Sequence, residues 1–147
     1  MGLDMFLYKK VYVGANYEHN DVKGLISLKK RGKPIKVNLN KIVYIIEDQA
    51  YWRKANAIHY WFVREVQHGD DDCKPYYVSG EKLLELVEVC KKVLKNKELA
   101  EDYLPTHEGF FFGSYEYDDY YFKTLESTIE QLENVDPDGE YEYQSSW

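Results

Sequence analysis

The sequence has little cysteine, few basic residues in its last third and no long apolar run. Cys73 and Cys90 are its only two cysteines, too few for a disulfide framework or a cysteine-built zinc site. Neither has a base at a telling distance, so both read as reduced structural thiols. No apolar stretch approaches the ~20 residues that a membrane span needs. Met1–Met5 lacks the charged-then-apolar layout of a secretory leader, and Phe6 stands where a myristoylation pattern wants Ser or Thr. There is no P-loop, GxGxxG, HExxH or GxSxG string. The net charge of −7 argues against generic nucleic-acid binding, which draws on Lys and Arg neutralising phosphates. A length of 147 residues suits one domain. The expectation is a soluble cytoplasmic domain with no membrane partner and no cofactor.

What is present is unevenly placed. Residues 1–50 carry 9 basic and 5 acidic groups, and residues 51–100 carry 9 and 8. Residues 101–147 set the single base Lys123 against 13 acids. Such polarity either steers a charged partner or is neutralised where the two ends of the chain pack together. Aromatics also cluster: Tyr103–Phe122 holds nine of the 24 in the chain. Tyrosine joins an apolar ring to a hydroxyl, a combination common at interfaces and ligand pockets.

Met5–Val13 is rich in aromatic and β-branched residues and predicts a strand. Asn16–Lys23 reads as a loop. Leu25–Lys30 and Ile35–Leu39 flank Arg31-Gly32-Lys33-Pro34, a hairpin signal whose five surrounding bases read as a solvated tip that blocks edge pairing. Ile42–Ile46 leans to strand. Over Asp48–Gln67, Trp52, Ala55, Ile58, His59, Phe62, Val63 and Val66 recur at spacings of three and four, which predicts an amphipathic helix ended by Gly69 and Pro75. Tyr76–Val78 predicts a short strand. Ser79 caps a second helix that runs to about Asn96. One further helical turn falls over Glu98–Tyr103, a short buried strand at Phe110–Phe112, and a third helix over Asp119–Asn134. The fold class expected is α+β, with three main helices on a small, mostly antiparallel sheet over residues 1–134. Residues 135–147 read as an acidic aromatic tail, with Glu140–Gln144 able to add an edge strand.

Three segments carry candidate chemistry. In the first predicted helix, Trp52, Asn56, His59 and Val63 stand at i, i+4, i+7 and i+11 and form one ridge. Arg53 and Lys54 flank it, where first-turn N–H groups also favour an anion. Arg53 could then hold a phosphate or carboxylate bidentately, with Asn56 and His59 adding directional bonds. The competing reading makes His59 a satisfied core histidine and pairs Arg53 with an acid. Asp70-Asp71-Asp72 could hold a divalent cation, with Asp71 and Asp72 as candidate ligands, or form a solvated turn. Third, Ser114, Tyr117 and Asp118 emerge together before a helix, either to meet a ligand or to cap that helix.

YWRKANAIHYWFV (Tyr51–Val63), DDC…YYVS (Asp71–Ser79) and LPTHEGFFFGSYEYDDYY (Leu104–Tyr121), with the opening MGLDMFLYKK, resemble the signature segments of a family of small uncharacterised phage and prophage proteins. The resemblance spans most of residues 1–130. It implies origin in a virus or integrated element, hence action in the cytoplasm of an infected bacterium, but no chemistry. Three functions follow as expectations. The first is a non-catalytic module binding a small anionic, nucleotide-like ligand through Trp52, Arg53, Lys54, Asn56, His59, Ser114, Tyr117 and Asp118, with Trp52 or a tyrosine of 115–121 stacked on a base. The second is an acidic surface that docks on a host protein. The third is a small metal-assisted hydrolase with His59 as general base and Asp71 or Asp118 beside it.

Overall fold

A computed structural model describes residues 2–14, 19 and 25–147. The expected loop at 16–23 therefore lies, apart from His19, outside the described residues. The chain is α+β. Strands β1 (Asp4–Tyr12), β2 (Leu28–Lys30), β3 (Lys33–Ile35) and β4 (Tyr44–Arg53) precede helix α1 (Asn56–Glu65). Then come β5 (Tyr76–Ser79), α2 (Gly80–Lys95), the single turn α3 (Ala100–Tyr103), α4 (Asp119–Leu132) and β6 (Glu140–Ser146). Contacts group the residues into two units, Met1–Lys9 with Glu47–Trp147, and Lys10–Ile46.

The main sheet has the order β4-β1-β6-β5, with β6 antiparallel to both neighbours. Its register sets Met5 opposite Ser145, Leu7 opposite Tyr143, and Val78 opposite Tyr141. Because side chains alternate along a strand, these residues share one face. That face is buried, with Leu7 and Tyr143 fully enclosed. Phe6 and Tyr8 point to the other face, where their rings stack. The helices cover the inner face. Phe62 of α1 stacks on Tyr143 with centroids 3.8 Å apart, and the Trp52 indole N–H donates to Thr128 Oγ1 of α4 at 2.9 Å. Leu83, Leu86, Cys90 and Val93 of α2 and Leu125 and Leu132 of α4 complete the core.

Helix α2 forms as its sequence predicts. Ser79 Oγ accepts the Lys82 N–H at 3.2 Å, Glu81 lies in the first turn and Lys92 and Lys95 in the last, so both ends suit the helix dipole. The β2–β3 hairpin also forms, turning through Arg31 (φ 50) and Gly32 (φ 77). Three expectations are corrected. The first helix begins at Asn56 rather than Asp48. Residues 48–53 continue β4, where Ala50 and Trp52 alternate inward, and Lys54 in a left-handed conformation (φ 54) breaks the strand. Phe110–Phe112 is a turn rather than a buried strand: Phe111 has φ 62, and only Phe112 is buried, Phe110 being 83% exposed. The expected tail at 135–147 supplies β6, an interior strand rather than an edge, because Tyr141, Tyr143 and Ser145 alternate into the core. Among the described residues no helix is long and apolar enough to cross a membrane.

Candidate functional site

The site is built where β4 gives way to α1. Ala55 at the N-cap offers no capping side chain, so the first N–H groups of α1 have no partner from the helix itself or from a cap. Asn56, buried at 4% exposure, instead turns its amide onto the 104–118 segment. Its Nδ2 donates to the Phe112 carbonyl at 3.2 Å and to the Ser114 carbonyl at 2.8 Å. Its Oδ1 accepts the His107 N–H at 3.1 Å. A Cβ on Gly113 (φ 95) would stand 3.1 Å from Lys54 Cβ, so this close passage wants glycine. Ser114 Oγ accepts the Glu116 N–H at 3.1 Å, and Asp118 caps α4 by accepting the Tyr121 N–H at 3.0 Å. The Tyr120 hydroxyl donates to the Arg53 carbonyl at 2.6 Å, joining the start of α4 to the end of β4.

Two adjoining hollows result. A recess of about 20 Å³, room for about one water-sized group, is lined by Lys54, Asn56, Ser114, Glu116 and Asp118. A cleft of about 360 Å³ is lined by Tyr51, Trp52, Arg53, Tyr120 and Lys123. Ala55, Tyr120 and Thr124 border both. The cleft is of ligand-pocket size and combines two cations with the half-exposed rings of Tyr51 and Tyr120. The lining of the recess brings Lys54 and the first residues of α1 together with Glu116 and Asp118. Arg53 Nη1 lies 3.4 Å from Asp4 Oδ1, with its side chain 56% exposed. An exposed pair at that distance contributes at most ~1 kcal/mol and yields readily to a better anion.

Of the eight residues proposed from sequence, Lys54, Asn56, Ser114 and Asp118 line the recess and Trp52 and Arg53 the cleft. They do not share a helical ridge, because Trp52 is a strand residue. Trp52 is also only 4% exposed and tilted against Phe62, so the aromatic face open to a base is that of Tyr51 or Tyr120. Tyr117 is half-buried with its hydroxyl accepting the Thr106 N–H, and it borders neither hollow. Sequence reasoning passed over Tyr51, Lys123 and Glu116. The signal for Lys123 was its isolation as the one base among 13 acids.

His59 is the main correction. It is fully buried, edge-on to Phe112, with Nδ1 at 2.8 Å from the Tyr143 hydroxyl and Nε2 at 3.0 Å from Asp71 Oδ2. Burial lowers its pKa from the ordinary value, and Asp71 pulls the other way. A carboxylate can only accept, so Nε2–H donates to Asp71 and Nδ1 accepts from Tyr143. Asp71 further accepts the Trp147 indole N–H at 3.0 Å. The imidazole is therefore an enclosed core group with both ring nitrogens engaged by protein partners. Asp72 pairs with Lys74 at 2.6 Å and accepts from the Tyr76 hydroxyl; the Lys74 ammonium holds its carboxyl below the usual range. Asp71 and Asp72, the candidate ligands, are thus engaged by protein groups, and among the described residues no cluster of three His, Cys, Asp or Glu could hold an ion. Both cysteines are free, and burial pushes the Cys90 thiol up to about 12.

The His59 environment sets a pH response. The unfolded imidazole takes up a proton near its ordinary pKa of 6.5, whereas the folded one resists it. Stability is therefore full above that value and falls as the pH drops toward the lowered folded pKa. The urea midpoint is expected to decrease as the pH falls through the unfolded pKa of 6.5, while the ring carbons of His59 in the folded protein titrate at a lower pH than those of the unfolded chain. A midpoint that is flat or rises on acidification contradicts this.

No protein-family model matches the chain, and no curated protein or solved structure matches it significantly.

Proposed function

We propose that the protein binds a small anionic, nucleotide-like ligand, without turnover, in the cleft between the β4–α1 junction and α4. One observation carries this reading: Arg53 and Lys123 border a cleft of about 360 Å³ that the half-exposed Tyr51 and Tyr120 also line. In the proposed pose a phosphate sits between the guanidinium and the ammonium. A base stacks on Tyr120 or Tyr51, since every base offers a π-face to an aromatic ring. The recess beyond Ala55 takes a hydroxyl or amino edge, because Glu116 and Ser114 accept hydrogen bonds there and Lys54 donates. The resemblance to phage proteins supports sequestration of a host signalling or defence nucleotide in the cytoplasm of an infected bacterium. Catalysis is disfavoured because the one imidazole suggested as a base is enclosed in the core.

Calorimetry against a panel of mono-, di- and cyclic nucleotides tests the reading. At least one is expected to bind well below ~1 mM, and Arg53→Ala and Lys123→Ala are each expected to weaken it by ~10-fold, about the worth of one charge-assisted contact. No member binding more tightly than about millimolar contradicts the proposal.

A second reading, docking on a host protein, draws on adjacent Phe110 and Phe111, 83% and 58% exposed in the acid-rich C-terminal third. Exposed aromatics of this kind are common at interfaces. That reading requires Phe110→Ser to abolish capture of a specific host protein without changing nucleotide binding.

A further inference from the structure

We propose that the β2–β3 hairpin is a docking surface for an anionic lipid bilayer, independently of the cleft. Residues 22–46 contain seven basic residues and no acid. Five of the seven, Lys29, Lys30, Arg31, Lys33 and Lys36, fall on or beside the hairpin, and all are exposed. None of these five joins an ion pair among the described residues. The register sets Lys30 directly opposite Lys33. Like charges facing across an antiparallel pair destabilise it, and an external anion relieves that repulsion. Arg31 and Gly32, both with positive φ, close a two-residue turn that carries the guanidinium at the tip.

Charge alone would suit any polyanion; the apolar residues choose among them. Leu28 pairs with Ile35 on the same face as Lys30 and Lys33, and the two are 51% and 44% exposed. Ile26 and Val37, just outside the strands, are each 37% exposed. Phosphates along a nucleic acid would engage the cations but leave this aliphatic face in water. A bilayer interface uses both, with aliphatic side chains entering the headgroup–acyl boundary while lysine stems carry their ammonium groups to lipid phosphates. Each cation near an anionic leaflet strengthens binding by about five-fold, so five suffice for reversible attachment. The chain outside residues 10–46 holds 11 basic and 24 acidic residues and is repelled by the same surface. Electrostatic attraction is thereby confined to residues 10–46. With no helix able to cross a membrane among the described residues, the mode is attachment to the surface.

Flotation of the full chain tests this with vesicles of phosphatidylcholine alone and with about one third phosphatidylglycerol, at about 50 mM and 300 mM salt, since screening weakens surface attraction. The protein is expected to float with the anionic vesicles at low salt and to leave them at high salt and in neutral vesicles. The exposed pair change Lys30→Glu/Lys33→Glu is expected to weaken binding by at least ~20-fold, and Leu28→Ser/Ile35→Ser by several-fold, both with unaltered circular dichroism. No flotation with anionic vesicles at low salt overturns the proposal. So does binding that Leu28→Ser/Ile35→Ser leaves untouched. Tighter binding to a 20-nucleotide DNA, insensitive to that aliphatic pair, assigns the hairpin to nucleic acid and overturns it equally.

Discussion

A chain ending at Gly139 is expected not to fold. Strand β6 lies between β1 and β5, so its removal strips hydrogen-bond partners from both neighbours and splits the sheet. Tyr141 and Tyr143, both fully buried, leave the core with it. Truncating one buried aromatic costs about 3–5 kcal/mol, and total domain stability is about 5–15 kcal/mol, so losing two together with a central strand consumes most or all of it. The loss also strands His59, whose Nδ1 would have no hydroxyl, inside an apolar site. Residues 1–139 should therefore give a disordered far-ultraviolet spectrum and collapsed amide dispersion. A cooperative thermal transition in that truncated chain would show that β6 is peripheral, contrary to its position.

Asn56→Ala is expected to cost about 2–4 kcal/mol. One side chain serves three backbone groups, the Phe112 and Ser114 carbonyls and the His107 N–H, and alanine leaves those partners unsatisfied where the amide was buried. Asn56→Asp fails similarly, because a carboxylate cannot donate to the two carbonyls and carries charge into a nearly closed site. The effect is local as well as global: amide exchange over residues 104–118 should accelerate in Asn56→Ala more than exchange in α2. Denaturant unfolding gives the first quantity and hydrogen exchange the second. A loss below about 1 kcal/mol with unchanged exchange would mean that the segment is held by other contacts.

These two results mark the boundary of what the sequence makes legible. Helix α2 is readable because Ser79, Glu81 and the Leu83–Val93 stripe all agree, cap with dipole and dipole with period. The start of α1 is not. Trp52, Ala55 and Ile58 satisfy a helical spacing by coincidence, while Ala50 and Trp52 also satisfy the alternation of a strand, and only the left-handed Lys54 decides between them. In β6 the alternation of Tyr141, Tyr143 and Ser145 is visible, but the intervening acids resemble a solvated tail. Its insertion between β1 and β5 depends on partners more than 60 residues away. The site divides in the same way. Arg53, Lys54, Ser114 and Asp118 carry chemistry that stands out in the chain. What gathers them is the Asn56 amide on two distant carbonyls, a contact without a local signature. His59 misleads for the opposite reason: a histidine beside an apolar stripe reads alike whether its partners are ligand atoms or Tyr143 and Asp71.

The cleft's role is most directly tested by an amide-resolved NMR titration of the intact chain with the tightest nucleotide found by calorimetry. The account predicts saturable shifts confined to Tyr51–Ile58, Ser114–Asp118 and Tyr120–Thr124, with the midpoint of the same titration moved to ~10-fold higher ligand concentration in Arg53→Ala. Saturable shifts that fall elsewhere, or no shifts at millimolar nucleotide, would contradict it.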